Sequence, residues 1–362
     1  MKTTLVLVAA SLAVLSSFHS FAGESYRPRL YKQFGEMVNT PDGMAVSADG
    51  ELYLASPNWQ NASYPGMILK QCKKTGRWSL FTVGLLHPET GGAFPMGLAF
   101  GPDGNLYYCD NQYKRNKNYK SRILRVLIDR DGAATRIEPV VENIKAANGI
   151  RIVDDAIYFT DTYHDLPDRY VGGVYRVPLT ACQERPARLL PKNMAEKDPF
   201  FLGEVGTTVL KHRGSTGAAD GICISRTGDV YVGSFGGGDL FKITKKQDGT
   251  FSKPAKIFSD PNVLPCCDGI CYYEAKNWIL IADSERNAIH CWDIDKESEG
   301  ANAHSILWEN DDTLGLDGLL DQPSEPCVMG DSLFVANFDL AGKGMKNKVS
   351  DKVHTLSVIS LK

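Results

Sequence analysis

The sequence predicts an all-β fold: a six-bladed β-propeller with four-stranded antiparallel blades around a central tunnel. Three observations predict it. A short phrase recurs six times, at steps of 54, 52, 72, 48 and 57 residues. Each copy reads as two strands joined by a tight turn. The 34 glycines, 18 prolines and 10% aromatic residues suit many short strands better than long helices.

The first 22 residues read as an address. Lys2 precedes an apolar run from Leu5 to Leu15, and Ser20-Phe21-Ala22 is a small-residue cleavage pattern with Ser in the first position. The run is too short to span a bilayer. We expect a signal peptide at 1–22 with cleavage after Ala22, and export to a periplasm or out of the cell. Residues 23–362 would then form a single domain with no membrane anchor.

The phrase follows. It reads DGMAVSADGELY at 42–53, MGLAFGPDGNLY at 96–107, NGIRIVDDAIY at 148–158, DGICISRTGDVY at 220–231 and DGICYYEAKNWILI at 268–281. The most degenerate copy is EPCVMGDSLF at 325–334, where Pro326 takes the place of Gly43, Gly97, Gly149, Gly221 and Gly269. Asp49, Asp103 and Asp229 read as turn formers. Further strand pairs follow in most copies, at 67–70 with 78–83, 122–126 with 136–141, and 173–177 with 188–190. The last strand, 354–361, has no copy of its own and should close the ring against 29–34. The long third step holds a polar, Lys-rich insertion at 191–215, read as a loop over one face.

Composition narrows the partners. Lys+Arg 40 against Asp+Glu 43 gives a net charge of −3 with no basic block, which argues against nucleic acid. A small-molecule substrate is expected, and no obligate protein partner is implied. Nine cysteines follow residue 22. Cys223, Cys271 and Cys327 lie in apolar strand patterns and read as buried small hydrophobes. Cys266, Cys267 and Cys271 lack the second C-x2-C pair of a zinc ribbon.

The chemistry sits where the repeats begin. The residue before each glycine or proline is Asp42, Met96, Asn148, Asp220, Asp268 and Glu325. In a propeller this position meets its equivalents at the axis. Five of the six are oxygen donors, and four like charges share a small space only when neutralised. A divalent cation does that. Hard oxygen ligands favour calcium, with magnesium, manganese or zinc as alternatives. Met96 reads as a tunnel-lining apolar residue.

These phrases resemble the senescence-marker-protein, gluconolactonase and luciferin-regenerating-enzyme family over nearly the whole mature chain. The resemblance implies a six-bladed propeller with one divalent metal in the tunnel, acting on lactones or related esters. The family's ligands are a Glu on the first blade, an Asn on the third, an Asn on the fourth and an Asp on the fifth. In blade order they fall on Asp42, Asn148, Asp220 and Asp268, with Asp42 standing for Glu and Asp220 for Asn. Glu325 would be an extra carboxylate. A rotated alignment puts Glu325 in the Glu role and Met96 in place of a ligand, keeping Asn148 and Asp220.

The cation would polarise a carbonyl oxygen while an aspartate takes a proton from water. Asp268 is the first choice in blade order and Asp220 in the rotated one. His164, just after an inner hairpin, is a surface residue on the plain reading and a pocket residue on the sharper one. Three alternatives stand beside the hydrolase: a non-enzymatic ligand- or protein-binding propeller, a quinone-dependent sugar dehydrogenase, and a strictosidine-synthase-like enzyme.

Overall fold

The computed structural model describes residues 23–211, 214 and 216–362. The expected signal peptide, 1–22, lies outside them. Six antiparallel sheets form the ring, five with four strands and one with an added fifth. Their innermost strands are Met44–Val46, Pro95–Phe100, Ala147–Val153, Ala219–Ile224, Ile270–Tyr273 and Pro323–Met329. Each touches the next, and the last touches the first. Closure is as expected: Arg29–Gln33 pairs with Thr355–Ser360, with Arg29 opposite Val358 and Gln33 opposite Thr355. Among the described residues no helix is long and apolar enough to cross a membrane.

The period of two explains why these segments are strands. Along Leu52–Ser56, Leu52 and Leu54 pack on the sixth blade, while Tyr53 and Ala55 pack on the second. Every blade is apolar on both faces, so the core is six clusters, each between two adjacent blades. The hairpin turns need a left-handed residue, and Gly50, Gly104 and Gly228 supply it at φ 78°, 74° and 83°.

The recurring glycine has a different cause. A Cβ on Gly43 would lie 2.2 Å from the carbonyl oxygen of Met96, and one on Gly97 2.5 Å from that of Asn148. Gly149, Gly221 and Gly269 meet the carbonyls of Asp220, Asp268 and Ser324 in the same way, at 2.5, 2.4 and 2.4 Å. Near the axis the inner strands converge until one backbone rests on the next. At these five positions only glycine fits.

Blade three departs from expectation. Its third strand, Val171–Pro178, pairs with Phe201–Gly206, inside the segment read as a loop insertion. Ala187–Arg188 instead pairs in parallel with the outer strand of blade two, Ala187 opposite Val141. Burial drives the choice. Val205 is fully buried, and Phe200 and Phe201 pack against the core between blades two and three. The charges of the segment are partly internal. Lys192 is fully buried, 2.9 Å from the Asp161 carboxylate and 3.2 Å from the Tyr175 hydroxyl.

All nine cysteines are free thiols. Burial pushes the Cys223 thiol up to about 12 and Cys271 well above its ordinary value.

Candidate functional site: an acidic cavity on the axis

In the second, third and sixth blades the start of the inner strand is held by the side chain that ends the second strand of the same blade. In all six blades that end is polar and fully buried: Ser56, Asp110, Asp161, Ser234, Asp283 and Asn337. Asp110 Oδ1 accepts the Phe94 N–H at 2.9 Å. Asp161 accepts from Lys145 and Ala146 at 3.0 and 2.7 Å, and Asn337 Oδ1 from Asp321 at 3.1 Å. Each bond fixes the chain a few residues before the axial position. Asp110 is itself held by Arg122, with Nε at 3.0 Å from Oδ2. Bonds between blades complete the frame. The Thr160 hydroxyl accepts from Gly149 N–H at 2.9 Å and donates to the Asp220 carbonyl at 2.6 Å. Ser324 Oγ donates to the Pro41 carbonyl at 3.1 Å, beside Asp42.

This frame brings Asp42, Met96, Asn148, Asp220 and Asp268 to the wall of one cavity of about 460 Å³. Asp42 is buried, and its Oδ2 has no hydrogen-bond partner. Burial, then the charges of Asp268 and Glu325, hold its carboxyl well above the usual carboxylate range. The donors are three carboxylates and an amide, all with hard oxygens. That donor chemistry is of the kind calcium accepts, but among the described residues these three carboxylates do not gather within 4.8 Å of one another.

Glu325 is placed differently. The strand pairing aligns Pro323 opposite Asn337 and Pro326 opposite Val335, as Ala219 faces Ser234 and Ile222 faces Val232 in blade four. Ser324 is therefore the equivalent of Asp220 and lines the cavity, while Glu325 occupies the glycine's position. The sixth copy is one residue out of the register read from Pro326. Glu325 Oε1 instead accepts from Arg151 Nη2 at 3.1 Å, and the same nitrogen donates to the Ile270 carbonyl at 2.8 Å. Arg151 lines a second cavity, of about 350 Å³, along the later residues of the inner strands. The Arg151–Glu325 pair thus stands between the two.

Sequence reasoning missed the upper wall. It comes from the residues just after the second strand of five blades: Trp59, Asn111 and Tyr113, Thr162 and Tyr163, Phe235 and Phe338. Tyr113 and Tyr163 stack with centroids 4.3 Å apart, and Trp59 meets Phe338 edge-on at 5.9 Å. Lys114 Nζ lies 3.9 Å from the Trp59 ring centroid, and burial pushes its ammonium pKa down. The signal was legible: a polar residue followed within three positions by an aromatic closes the phrase at Ser56, Asp110, Asp161, Ser234 and Asn337. His164 is neither on the surface nor in the cavity. It is buried with Nε2 3.3 Å from the Tyr175 hydroxyl.

The fold and this cavity define a class: a six-bladed propeller with an acidic axial site beneath an aromatic wall. No protein-family model and no curated protein matches the sequence. Solved structures do match. A luciferin-regenerating enzyme is 13% identical, with 92% of this chain and 95% of that one covered at a TM-score of 0.58. A gluconolactonase from Xanthomonas campestris is 16% identical, with 94% and 97% covered at 0.54. The PQQ-bound aldose sugar dehydrogenase from Streptomyces coelicolor is 17% identical, with 92% and 98% covered at 0.58. These likenesses establish the six-bladed fold. The structural neighbours include members of the family that the sequence phrases resemble.

Proposed function

We propose that this chain is an exported, divalent-metal-dependent hydrolase of lactones or related esters. One observation carries the reading: Asp42, Asn148, Asp220 and Asp268 share the wall of a single small-molecule-sized cavity, and a buried Asp42 oxygen there has no partner. Those four residues would hold the cation, calcium by donor chemistry. When bound, it supplies the positive charge that polarises a carbonyl and makes water more acidic. Asp268, and next Asp220, is the base that takes the proton from attacking water. The aromatic wall shields a compact ring from solvent, and Asn111 and Thr162 offer polar contacts to its substituents. The gluconolactonase and luciferin-regenerating enzyme among the structural neighbours support this class of substrate.

The test is a panel of lactones and aryl esters with calcium, magnesium, manganese or zinc after chelation. Asp268→Ala or Asp220→Ala should lower turnover by about 100-fold or more. Retained activity in both variants would sink the assignment. No turnover together with an unchanged melting temperature on chelation would favour a binding propeller. A second reading, a quinone-dependent dehydrogenase, draws on Lys114 and Lys343, which line the cavity and could meet a quinone's carboxylates. An absorbance spectrum after adding the quinone separates the two.

A further inference from the structure

The sixth blade carries another group of acids, away from the axial positions. Asp321 lies just before Pro323–Met329, Asp339 just after Ser332–Asn337, and Asp351 in the loop that leads into Thr355–Ser360. The antiparallel order of these strands brings all three to the same end of the blade. One carboxylate oxygen from each lies within 4.8 Å of the other two. Asp321 and Asp339 are fully buried and Asp351 is half-buried.

Protein groups compensate them only in part. Asp339 accepts the N–H groups of Asp351 and Lys352 at 3.2 and 2.9 Å, and Asp351 Oδ1 accepts from Val353 at 2.8 Å. Both oxygens of Asp321 and Oδ2 of Asp351 are buried with no hydrogen-bond partner. Burial, then the neighbouring Asp339 and Asp351, push the Asp321 carboxyl up to about 8. Among the described residues the basic group paired with the cluster is His354, with Nδ1 3.9 Å from Asp339 Oδ2. That nitrogen is buried and makes no hydrogen bond.

A second observation is independent of the acids. Asn347 is fully buried, and neither Nδ2 nor Oδ1 has a hydrogen-bond partner. Its amide faces the Asp321 carboxyl. Burying an unsatisfied amide beside unsatisfied carboxylates is costly. A cation among them would satisfy the carboxylate oxygens and Asn347 Oδ1 together, leaving Nδ2 free to donate to a carboxylate. The donors are oxygens from three carboxylates and one amide on a loop. That suits calcium, which accepts many oxygen ligands in adaptable geometry, better than zinc, which prefers nitrogen and sulfur. The same loop lines the axial cavity with Phe338, Leu340, Lys343 and Met345.

We propose that Asp321, Asp339, Asp351 and Asn347 form a calcium site in the sixth blade that fastens the 338–352 loop as one wall of the axial cavity. The site is separate from the axial carboxylates, and the proposal stands whether or not those bind a metal.

Trypsin reads this directly, because the loop contains Lys343, Lys346, Lys348 and Lys352. The whole chain is digested in chelator and in 1 mM calcium, and cleavage after these lysines is followed by mass spectrometry. Calcium held at about ten times its Kd should slow those cuts roughly tenfold, since cleavage proceeds through an opened loop. The protection should persist in Asp268→Asn and vanish in Asp321→Asn and Asp351→Asn. Circular dichroism checks that each variant folds, and Asp351→Asn, at a half-buried position, carries the test should Asp321→Asn misfold. Equal cleavage with and without calcium in the wild type overturns the proposal. So does protection that is lost in Asp268→Asn but kept in Asp351→Asn, which would assign the effect to the axis.

Discussion

The packing of one blade on the next predicts a large effect from a single methyl group. Replacing Gly221 by Ala puts a Cβ 2.4 Å from the Asp268 carbonyl oxygen and 2.6 Å from the Ile270 nitrogen, where ordinary contact begins at 3.4 Å. The fourth and fifth blades must part by about 1 Å, or the strands must twist, against backbone bonds that hold both. Overpacking of this kind costs about 1–3 kcal/mol, and loss of the 3.2 Å bond from Gly221 N–H to the Asp268 carbonyl adds about 1 kcal/mol. The loss of chain freedom in the unfolded state returns about 0.4–1 kcal/mol. The net is about 2–3 kcal/mol. At about 2.1 cal/mol/K of unfolding entropy per residue, a domain of this length should melt about 3–4 °C lower. Gly35→Ala is the control, because a Cβ there meets nothing within 4 Å and its φ is not left-handed. It should match the wild type or melt slightly higher. Scanning calorimetry in chelator measures all three proteins. A Gly221→Ala midpoint within about 1 °C of the control would refute the argument from close approach.

Other buried groups give further outcomes. Lys192→Met strands the Asp161 carboxylate, fully buried like the lysine itself, and should cost about 3–5 kcal/mol in denaturant titrations. Arg151→Met should destabilise more than Glu325→Gln, because only the first leaves a buried carboxylate alone; adding Glu325→Gln to Arg151→Met should recover part of the loss, and a strictly additive cycle would deny the pairing. Glu204 supplies a pH test. The His164 imidazole and the bidentate Arg169 hold its carboxyl at about 2. A depressed carboxylate stabilises above its unfolded pKa and loses that contribution as pH falls through the folded one. Glu204→Gln should therefore cost about 1 kcal/mol at pH 7, a figure reduced for solvent screening, and nothing near pH 2. Melting curves that stay equally far apart at both pH values would count against it.

The legible parts of this fold are those that repeat. Blade number could be read because a glycine recurs where backbones touch, in five of the six blades, with an oxygen donor beside it in four of those. The outer strand of blade three was not legible for the complementary reason. It has no phrase, and the apolar run at Phe200-Phe201-Leu202 lies beyond a Lys-rich stretch whose charge reads as exposed. Lys192 is buried, and its burial is visible only once Asp161 is seen beside it.

The register of blade six follows from the same physics. Pro326 mimics the repeat glycine in sequence, because both interrupt an apolar pattern, but they meet different constraints. A glycine is required where the next backbone approaches, and Gly269 meets the Ser324 carbonyl, which puts Ser324 in the position of the aspartates. Glu325 then falls where the other five blades have no side chain at all. A long acidic residue at that point crowds the position of Gly269, whose own Cβ would lie 2.1 Å from the Glu325 carboxylate. It is accommodated because Arg151 reaches across from the third blade to meet it. The apparent fifth donor is thus half of a pair beside the axial carboxylates, and its charge adds to burial and Asp268 in holding the Asp42 carboxyl above its ordinary value. A substitution at Glu325 should therefore be felt at Asp42 through electrostatics rather than through a lost donor in the cavity.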